Sequence, residues 1–397
     1  MPEHLSVGHL LWRKLPAAPR RAALQAVASW RAPRVDAVPP AQASGLVVAG
    51  ELAQPTGLGA GARCLAEALT QLGYGGYGIT TGIGQVPEGD YPPGAALLLA
   101  INAPSLPLML ARAGKNWLRG RLVIGSWAWE LPVAPPSWAA GGHYVHEVWA
   151  PSAFVAASLE TVMPGRVKTV PYPLALCRFA QAPVPAMLNL PEQAVVVVMV
   201  LSLGSSMERK NPLAGIAAFK QAFGERSDVV LVVKLQGAAA FAQEASLLAA
   251  QAAENVKIVS DVWSQTEMDG LMTRADIVLS LHRAEGFGLV LAEAMLRGKP
   301  VVATGWSGNM AFMDESSAAL IDHQLVPVED ESGIYTPMQG ALWAQAQCEH
   351  AALWLRRLGD DSHLRQALGA RAQAYARHAL GVEPLRAALV ARNIHPL

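Results

Sequence analysis

Residues 276–303, DIVLSLHRAEGFGLVLAEAMLRGKPVVA, contain a strand, a glycine turn, a helix and a second strand. The apolar run Asp276–Leu281 predicts a buried strand, and the helix that follows the two glycines ends at Gly298. The next strand is predicted at Pro300–Ala303. Strands that are apolar along nearly their whole length, and that alternate with helices, are typical of a parallel sheet covered on both faces.

The same alternation of strand and helix extends through most of the chain. Further strands are predicted at Gly45–Ala49, Ala95–Ile101, Arg121–Ser126, Glu147–Ala150, Lys168–Pro171, Val195–Leu201, Val229–Lys234 and Val256–Val259. A Pro-rich connector, Pro171–Pro191, separates the two series. We therefore predict an α/β protein with two Rossmann-like domains that face each other across a cleft. Ligands are expected in that cleft, at the carboxyl ends of the strands.

Charge and cysteine content exclude several classes of protein. The 31 basic and 31 acidic side chains among 397 residues give zero net charge, which argues against nucleic-acid binding through bulk positive charge. Cys64, Cys177 and Cys348 form no Cys-x-x-Cys pair, so neither a disulfide framework nor a structural zinc site is indicated. No signal peptide is recognisable, and the longest apolar runs have only strand length. We expect a cytoplasmic protein with buried or incidental thiols.

Residues 1–44 differ from the rest and form a basic arm. The arm has six Lys or Arg residues against Glu3 and Asp36, and its apolar residues predict short amphipathic helices. One interpretation is an interfacial arm that contacts anionic lipid, which would make the protein peripheral at the inner membrane. The other interpretation, which we favour, is a helical arm packed on the protein's own surface.

Two glutamates flank the glycine turn at residues 285–288. Glu285 stands at the end of the strand and is expected to point into the cleft, while Glu293 lies about one turn into the helix. Gly286 and Gly288 let backbone amides approach a ligand closely, and the helix N-terminus favours an anion. Carboxylates accept hydrogen bonds from sugar and ribose hydroxyls. The pattern therefore favours a ligand with both hydroxyls and negative charge.

The segment EGFGLVLAEAMLRGKPVVAT (residues 285–304), with its Glu-x7-Glu spacing, resembles the donor-site motif of the retaining family 4 glycosyltransferases. These enzymes have the two-domain fold called GT-B, and the resemblance covers about residues 45–375. It implies that Glu285 contacts the donor sugar near its 3-hydroxyl and that Glu293 contacts the ribose hydroxyls. It also implies that the amides of Gly286, Phe287 and Gly288 lie beside the sugar and the phosphate.

The resemblance further implies a hexosyltransferase whose donor is a GDP- or UDP-sugar. The acceptor would be a glycan or lipid-linked glycan, as in the synthesis of bacterial surface polysaccharides. No metal or other cofactor is implied, and the chain has no Asp-x-Asp sequence, the usual metal anchor of single-domain transferases. Two alternatives stay open: a catalytically inactive partner subunit that binds nucleotide sugars, and a nucleotide-sugar epimerase of similar shape.

A leaving nucleoside diphosphate needs cationic side chains at a strand end when no metal is present. The turn after the first strand of the second half carries Arg209 and Lys210, and it resembles the phosphate-clamp turn of the family. Lys234, predicted to close the next strand, is the third candidate. Many relatives have an arginine several residues before the lysine, where this chain has Gly204 and Ser205. The membership of the clamp therefore stays open among the three cations.

The first half contributes a glycine-dense loop and a tryptophan-rich segment. The loop contains Gly57 and Gly59 but lacks the GxGxxG spacing of a dinucleotide site; the resemblance implies that it closes over the donor. Trp127, Trp129 and Glu130 follow a strand and are expected to border the cleft, where aromatic faces suit sugar stacking. The Trp129–Glu130 pair resembles that of relatives with tryptophan in place of a catalytic-side histidine, and Glu130 is a catalytic candidate.

The predicted organisation has four segments. These are the basic arm 1–44, an N-terminal acceptor-side domain 45–185, a C-terminal nucleotide-sugar-binding domain 186–370, and a C-terminal helix 371–397 that packs back on the first domain. Three histidines near the motifs, His143, His146 and His282, are interpreted as structural.

Overall fold

The computed structural model describes residues 17–54, 56–80, 92, 94–335, 338 and 340–397. The strands are β1 (Ala43–Ser44), β2 (Leu46–Gly50), β3 (Gly75–Thr80), β4 (Ala96–Ala100), β5 (Val123–Ser126), β6 (Glu147–Ala150), β7 (Val167–Thr169), β8 (Val195–Ser202), β9 (Val229–Gln236), β10 (Val256–Val259), β11 (Ile277–Ser280), β12 (Val301–Thr304), β13 (Ala319–Ile321), β14 (His323–Pro327), β15 (Leu342–Ala346) and β16 (Ile394–His395). The helices are α1 (Ala17–Arg31), α2 (Gly57–Gln71), α3 (Leu106–Leu110), α4 (Ala153–Glu160), α5 (Met207–Lys210), α6 (Pro212–Phe223), α7 (Ala242–Ala249), α8 (Gln265–Arg274), α9 (Leu289–Leu296), α10 (Cys348–Asp360), α11 (Ser362–Ala379) and α12 (Glu383–Ala391).

Two six-stranded sheets organise the fold. The first has the order β3-β2-β4-β5-β6-β7 and the second β10-β9-β8-β11-β12-β13, and all their pairs are parallel. The order reverses between β2 and β4 in the first sheet and between β8 and β11 in the second. Crevices at such reversal points bind ligands in open α/β sheets. The predicted fold class, two Rossmann-like halves, is confirmed.

The strand bounds follow from local sequence. Every strand predicted from the sequence is present, with its bounds shifted by two residues at most. β2 and β4 are buried at every position, which explains why their apolar runs are unbroken. β3 was not predicted, because its sequence GGYGIT has three glycines, and glycine is depleted in strands. It forms because pairing with β2 compensates for that weak local preference.

Gly57 and Gly59 were expected in a loop but belong to the first turn of α2. Thr56 precedes them with an extended backbone, and its side-chain oxygen accepts a hydrogen bond from Gly59 N at 3.1 Å. This N-cap satisfies an amide of the first turn, so the helix begins earlier than predicted. A Cβ atom on Gly59 would lie 2.5 Å from the Gln54 carbonyl oxygen, and only glycine fits there.

The chain crosses between the two halves twice, and the two crossings touch. The first follows β7 and contains a 3₁₀ turn at Leu174–Leu176, and the second follows α11. Ala175 N donates a hydrogen bond to the Leu380 carbonyl oxygen at 3.1 Å. Beyond the second crossing, β16 pairs in parallel with β1, and Arg392 Nε lies 3.1 Å from Glu147 Oε2. The C-terminal segment thus contacts the first half, while the domain boundaries stay predictions.

The basic arm is described only from residue 17, so residues 1–16 lie outside the described residues. One side of α1 packs beside α3, where Gln25 Nε2 donates to the Pro104 carbonyl oxygen at 2.9 Å. Leu24, Val27 and Trp30 are exposed on the helix. Within the described ranges, no helix combines the length and apolarity needed to cross a bilayer. Lipid contact through the arm stays a prediction.

Candidate active site

A cavity of about 480 Å³ lies between the two halves, at the carboxyl ends of the strands where both sheets reverse their order. The start of α2 and the segment after β5 line it from the first half. The second half contributes the ends of β8 and β11, α5 and the glycine turn. Nine of the eleven predicted site residues line the cavity: Gly57, Glu130, Arg209, Lys210, Glu285, Gly286, Phe287, Gly288 and Glu293.

The glycine turn is held from both halves. Gly288 has a φ of 96°, a left-handed conformation that favours glycine, and it precedes α9 without supplying a capping side chain. Ser152 Oγ, from the first half, donates to the Gly286 carbonyl oxygen at 2.8 Å. A Cβ atom on Gly308 would lie 2.0 Å from the same oxygen, so that contact also requires glycine. The first turn of α9 therefore faces the cavity in a fixed position.

Glu285 contacts two cations at the cavity wall. Lys210 Nζ lies 2.5 Å from Glu285 Oε1, and Arg209 Nη1 lies 3.3 Å from the same oxygen. The Arg209 side chain is only 4% exposed, whereas that of Lys210 is 20% exposed and reaches the cavity. A lysine ammonium has three N–H donors, so Lys210 can hold Glu285 and still bind a ligand.

The short helix α5 fixes the two cations, and its flanking residues have unusual backbone angles. Ser206 has a φ of 64° and Asn211 a φ of 50°, conformations that cost energy in residues other than glycine. Ser206 Oγ accepts a hydrogen bond from Arg209 N at 3.1 Å, and Asn211 Nδ2 donates to the Leu281 carbonyl oxygen at 2.9 Å. Arg209 Nη1 also donates to the Ala284 carbonyl oxygen at 2.7 Å. The clamp turn is thereby attached to the residues just before Glu285.

The electrostatics of this cluster keep Glu285 ionised. Burial alone would raise the pKa of its carboxyl group, but the positive charges of Lys210 and Arg209 outweigh burial and lower the pKa to about 2. Burial lowers the pKa of Lys210, and the charge of Glu285 opposes that effect. A carboxylate held in this way can accept hydrogen bonds from sugar hydroxyls without being protonated near neutral pH.

The lowered pKa of Glu285 predicts a specific loss of stability in acid. Because the folded pKa of about 2 lies below the ordinary value of 4.5, the contribution is fully present above about pH 5 and is lost as the pH falls toward 2. The expected loss is about 3 kcal/mol in the free energy of unfolding. Denaturant unfolding of the wild type and of Glu285→Gln across this range measures it. If the free energies of unfolding of the two proteins depend on pH in the same way, the lowered pKa of Glu285 is contradicted.

Glu293 lies on the cavity side of α9, four residues before its ion-pair partner. Arg297 Nε lies 2.8 Å from Glu293 Oε1, and the guanidinium also contacts Asp269. Burial raises the pKa of Glu293 even though the charge of Arg297 opposes this. The arginine orients the carboxylate at the cavity wall, which is compatible with the predicted contact to ribose hydroxyls.

Glu130 is the acidic residue that the first half brings to the cavity. Its Oε2 accepts a hydrogen bond from the Tyr335 hydroxyl at 3.1 Å, across the interface between the halves. The Trp129 ring packs against the Tyr335 ring at 5.3 Å, and its Nε1 donates to the Val133 carbonyl oxygen at 2.9 Å. Trp127 is fully buried. Neither indole lines the cavity, but Trp129 lies at the interface between the halves and supports Tyr335, the partner of Glu130, by ring packing.

Lys234 does not reach the cavity, and the prediction that it closes its strand is wrong. β9 continues to Gln236, so Lys234 lies inside the sheet, where its backbone pairs with Val200 and Val259. Its Nζ donates to the carbonyl oxygens of Leu235 at 2.6 Å and Asp261 at 2.8 Å. Gln236, the true end of the strand, lines the cavity. Gly59, inside α2, does not line it either.

Sequence reasoning missed several cavity residues. Tyr172 lines the cavity from the connector, and its ring packs against Phe287 at a centroid distance of 5.0 Å. Arg63 lines it from α2, and its Nη1 donates to the Leu52 carbonyl oxygen at 2.6 Å. The only local signal for Tyr172 was its position between two prolines at the end of the first strand series. Tyr335, the partner of Glu130, is far away in sequence and carried no signal.

His146 and His282 make structural contacts, as interpreted from the sequence, whereas the same interpretation of His143, which is exposed, stays a prediction. The two ring nitrogens of His146 contact Val123 N and the Asp36 carbonyl oxygen, each at 3.0 Å. His282 is fully buried in contact with Asn309, and burial lowers its pKa. Across the part of the chain that the structure describes, no group of three or more His, Cys, Asp or Glu residues is arranged to hold a metal ion.

Comparisons with known proteins agree with this architecture. The family model for family 4 glycosyltransferases in conflict systems matches residues 162–380. HepE from Anabaena, solved in complex with UDP and glucose, is 13% identical with a TM-score of 0.59, over 88% of this chain and 100% of that chain. A glycosyltransferase from Rickettsia africae is 14% identical with a TM-score of 0.58, over 88% and 98%. WaaG, a glycosyltransferase involved in lipopolysaccharide biosynthesis, is 18% identical with a TM-score of 0.55, over 87% and 99%.

A comparison with curated proteins finds no match. At identities this low, the structural similarity shows the fold, which is the GT-B arrangement of two Rossmann-like domains. The family match is independent of that similarity and covers more than half of the chain, including the clamp turn and the glycine turn. The chain therefore belongs to the GT4-conflict family, the family 4 glycosyltransferases in conflict systems, and is a glycosyltransferase.

Proposed function

We propose that this enzyme moves a hexose from a UDP- or GDP-sugar to a hydroxyl group of a glycan or lipid-linked glycan, with retention of the anomeric configuration. The observation that carries the proposal is the meeting of Arg209 and Lys210 with Glu285 beside the glycine turn. There, the N-terminus of α9 and two cations face one cavity, an arrangement suited to a diphosphate. UDP is the first donor nucleotide to test, because HepE was solved with UDP-glucose.

Each part of the cavity has a role in the proposed reaction. Lys210 and Arg209, with the amides of the glycine turn, stabilise the negative charge of the leaving diphosphate. Glu285, ionised and held by those cations, accepts hydrogen bonds from the hydroxyls of the donor sugar. Glu293 accepts hydrogen bonds from the ribose. Glu130, from the first half, faces the acceptor side.

The proposed transfer needs no separate protein base and no metal ion. The bond between the anomeric carbon and the diphosphate oxygen breaks, and the acceptor oxygen bonds to the same face of that carbon. The leaving phosphate takes the acceptor's proton, and the nucleoside diphosphate is released. The sugar passes through an oxocarbenium-like transition state, and the cationic side chains supply the charge that a metal would otherwise provide. We place the reaction in the cytoplasm.

Ligand binding and turnover test the proposal together. The stabilisation by UDP and by GDP is compared by thermal unfolding. The nucleotide that matches the donor should stabilise the protein by about 2.7 kcal/mol at a hundredfold excess over its Kd. Hydrolysis of UDP-glucose and GDP-mannose is then followed in the presence of a chelator. Proton NMR of a transfer product reports the anomeric configuration. An absence of stabilisation by either nucleotide, an inverted product, or loss of activity with the chelator would each contradict a stated part of the proposal.

A further inference from the structure

Two of the three cysteines come together beside the cavity, although they are 113 positions apart in the sequence. Cys64 Sγ and Cys177 Sγ lie 3.3 Å from each other. Cys64 belongs to α2 and is buried, whereas Cys177 directly follows the 3₁₀ turn of the first crossing and is partly exposed. Both thiols are free. The pair therefore joins the helix that lines the cavity to the segment that connects the two halves.

The two thiols differ in the way that disulfide exchange requires. The hydrogen bond with Cys64 lowers the pKa of Cys177, while the same contact and burial raise the pKa of Cys64. Cys177, accessible and more easily ionised, is suited to attack an oxidant, and Cys64 is placed to resolve the product. Cys348 has no such partner among the described residues: its Sγ lies 3.8 Å from the Ala214 carbonyl oxygen, and burial raises its pKa.

We propose that Cys64 and Cys177 are a redox modification site, which a small disulfide such as oxidised glutathione converts into an intramolecular disulfide that lowers transfer. The Cys177 thiolate attacks one sulfur of the oxidant, forming a mixed disulfide and releasing one small thiol. The Cys64 thiol then attacks Cys177 Sγ, forms the protein disulfide and releases the second small thiol. Two protein thiols are oxidised and one small disulfide is reduced to two thiols.

The disulfide alters the cavity because a tyrosine lies between the bond and the glycine turn. The two sulfurs must approach from 3.3 Å to about 2.05 Å, and the part of this approach that side-chain rotation does not supply moves the crossing and α2 toward each other. A Cβ atom on Gly61 of α2 would lie 2.5 Å from the Tyr172 ring, so no space is available there for such movement. Tyr172 in turn packs against Phe287 of the glycine turn. The displacement is therefore transmitted to the cavity wall.

Formation of the bond is measured without reference to activity. The full chain is incubated with oxidised glutathione, and its thiols are counted under denaturing conditions. We expect the count to fall from three to one, with no bound glutathione and with a Cys64–Cys177 peptide in the digest. Cys348→Ser is the matched control and should still lose two thiols. Cys64→Ser and Cys177→Ser should form no internal bond. A stable glutathione adduct on wild type, or three remaining thiols, would overturn the proposal.

The effect on the enzyme is measured on the same samples. Because a displacement of about 1 Å at a catalytic site can cost up to a hundredfold, we expect oxidation to lower transfer at least tenfold. Dithiothreitol should restore the rate, and neither Cys64→Ser nor Cys177→Ser should show the loss. An unchanged rate in fully disulfide-bonded protein would overturn the inhibitory part. If the proposed donors fail as substrates, the thiol count and the linked peptide still decide whether the bond forms.

Discussion

Glu285→Gln is expected to lower transfer at least a hundredfold and to reduce the free energy of unfolding by about 3 kcal/mol. The substitution keeps the shape and one hydrogen-bond acceptor but removes the charge that Lys210 and Arg209 contact at 2.5 and 3.3 Å. Breaking a buried ion pair from one side typically costs 3–5 kcal/mol, since the partner charge stays buried. The sugar hydroxyls would also lose their strongest acceptor in the transition state.

The matched control for this variant is Glu208→Gln. Glu208 lies in α5, close to the same cations in sequence, but its carboxylate bonds to Ser206 Oγ at 3.1 Å instead of Lys210. We expect the control to retain turnover within a few fold and to unfold near the wild-type temperature. Transfer is assayed well below the unfolding temperature of each variant. Wild-type turnover in folded Glu285→Gln protein would remove this residue from the active site.

Lys210→Met is expected to reduce turnover by about 10²–10³, the usual cost of losing one preorganised donor to a developing negative charge. The variant should fold, because Arg209 remains 3.3 Å from Glu285 as its counterion. The loss should appear in kcat as well as in KM for the donor, since the diphosphate carries more charge when it leaves than when it is bound. Steady-state kinetics with varied donor concentration separates the two constants.

Two other lysines are controls for the clamp. Lys220→Met removes a cation from α6, where Nζ is 3.4 Å from Gln251 Oε1 at the surface, and should change neither stability nor turnover. Lys234→Met removes a buried cation whose Nζ donates to two carbonyl oxygens, and should lower stability by about 1–3 kcal/mol with KM unchanged. A larger turnover loss in Lys234→Met than in Lys210→Met would show that the clamp was assigned to the wrong lysine.

The parts of the site that lie close together in sequence could be predicted. Glu285, the two turn glycines and Glu293 fall within nine consecutive positions, so the strand–turn–helix pattern alone places them at one strand end. Arg209 and Lys210 were predictable for the same reason, since they follow β8, the neighbour of β11 in the sheet. Parallel sheets bring such strand ends together.

The parts that depend on strand length or on distant contacts could not be predicted. Ending β9 at Lys234 instead of Gln236 changes which residue stands at the carboxyl edge of the sheet, and no sequence signal separates the two ends. The Glu130–Tyr335 hydrogen bond and the contact between Cys64 and Cys177 join residues 205 and 113 positions apart. Such contacts follow from the tertiary packing of distant segments, which local patterns do not encode.

The hydrogen bond between Ala175 and Leu380, where the two crossings meet, has a consequence for motion. A pair of lobes joined by one flexible tether could slide, twist and separate independently. Two crossings that are hydrogen-bonded to each other form a hinge. Rotation of one half against the other about that hinge is then the easiest movement. We therefore expect donor entry and product exit to share a single opening angle, so that both would slow together when that rotation is hindered.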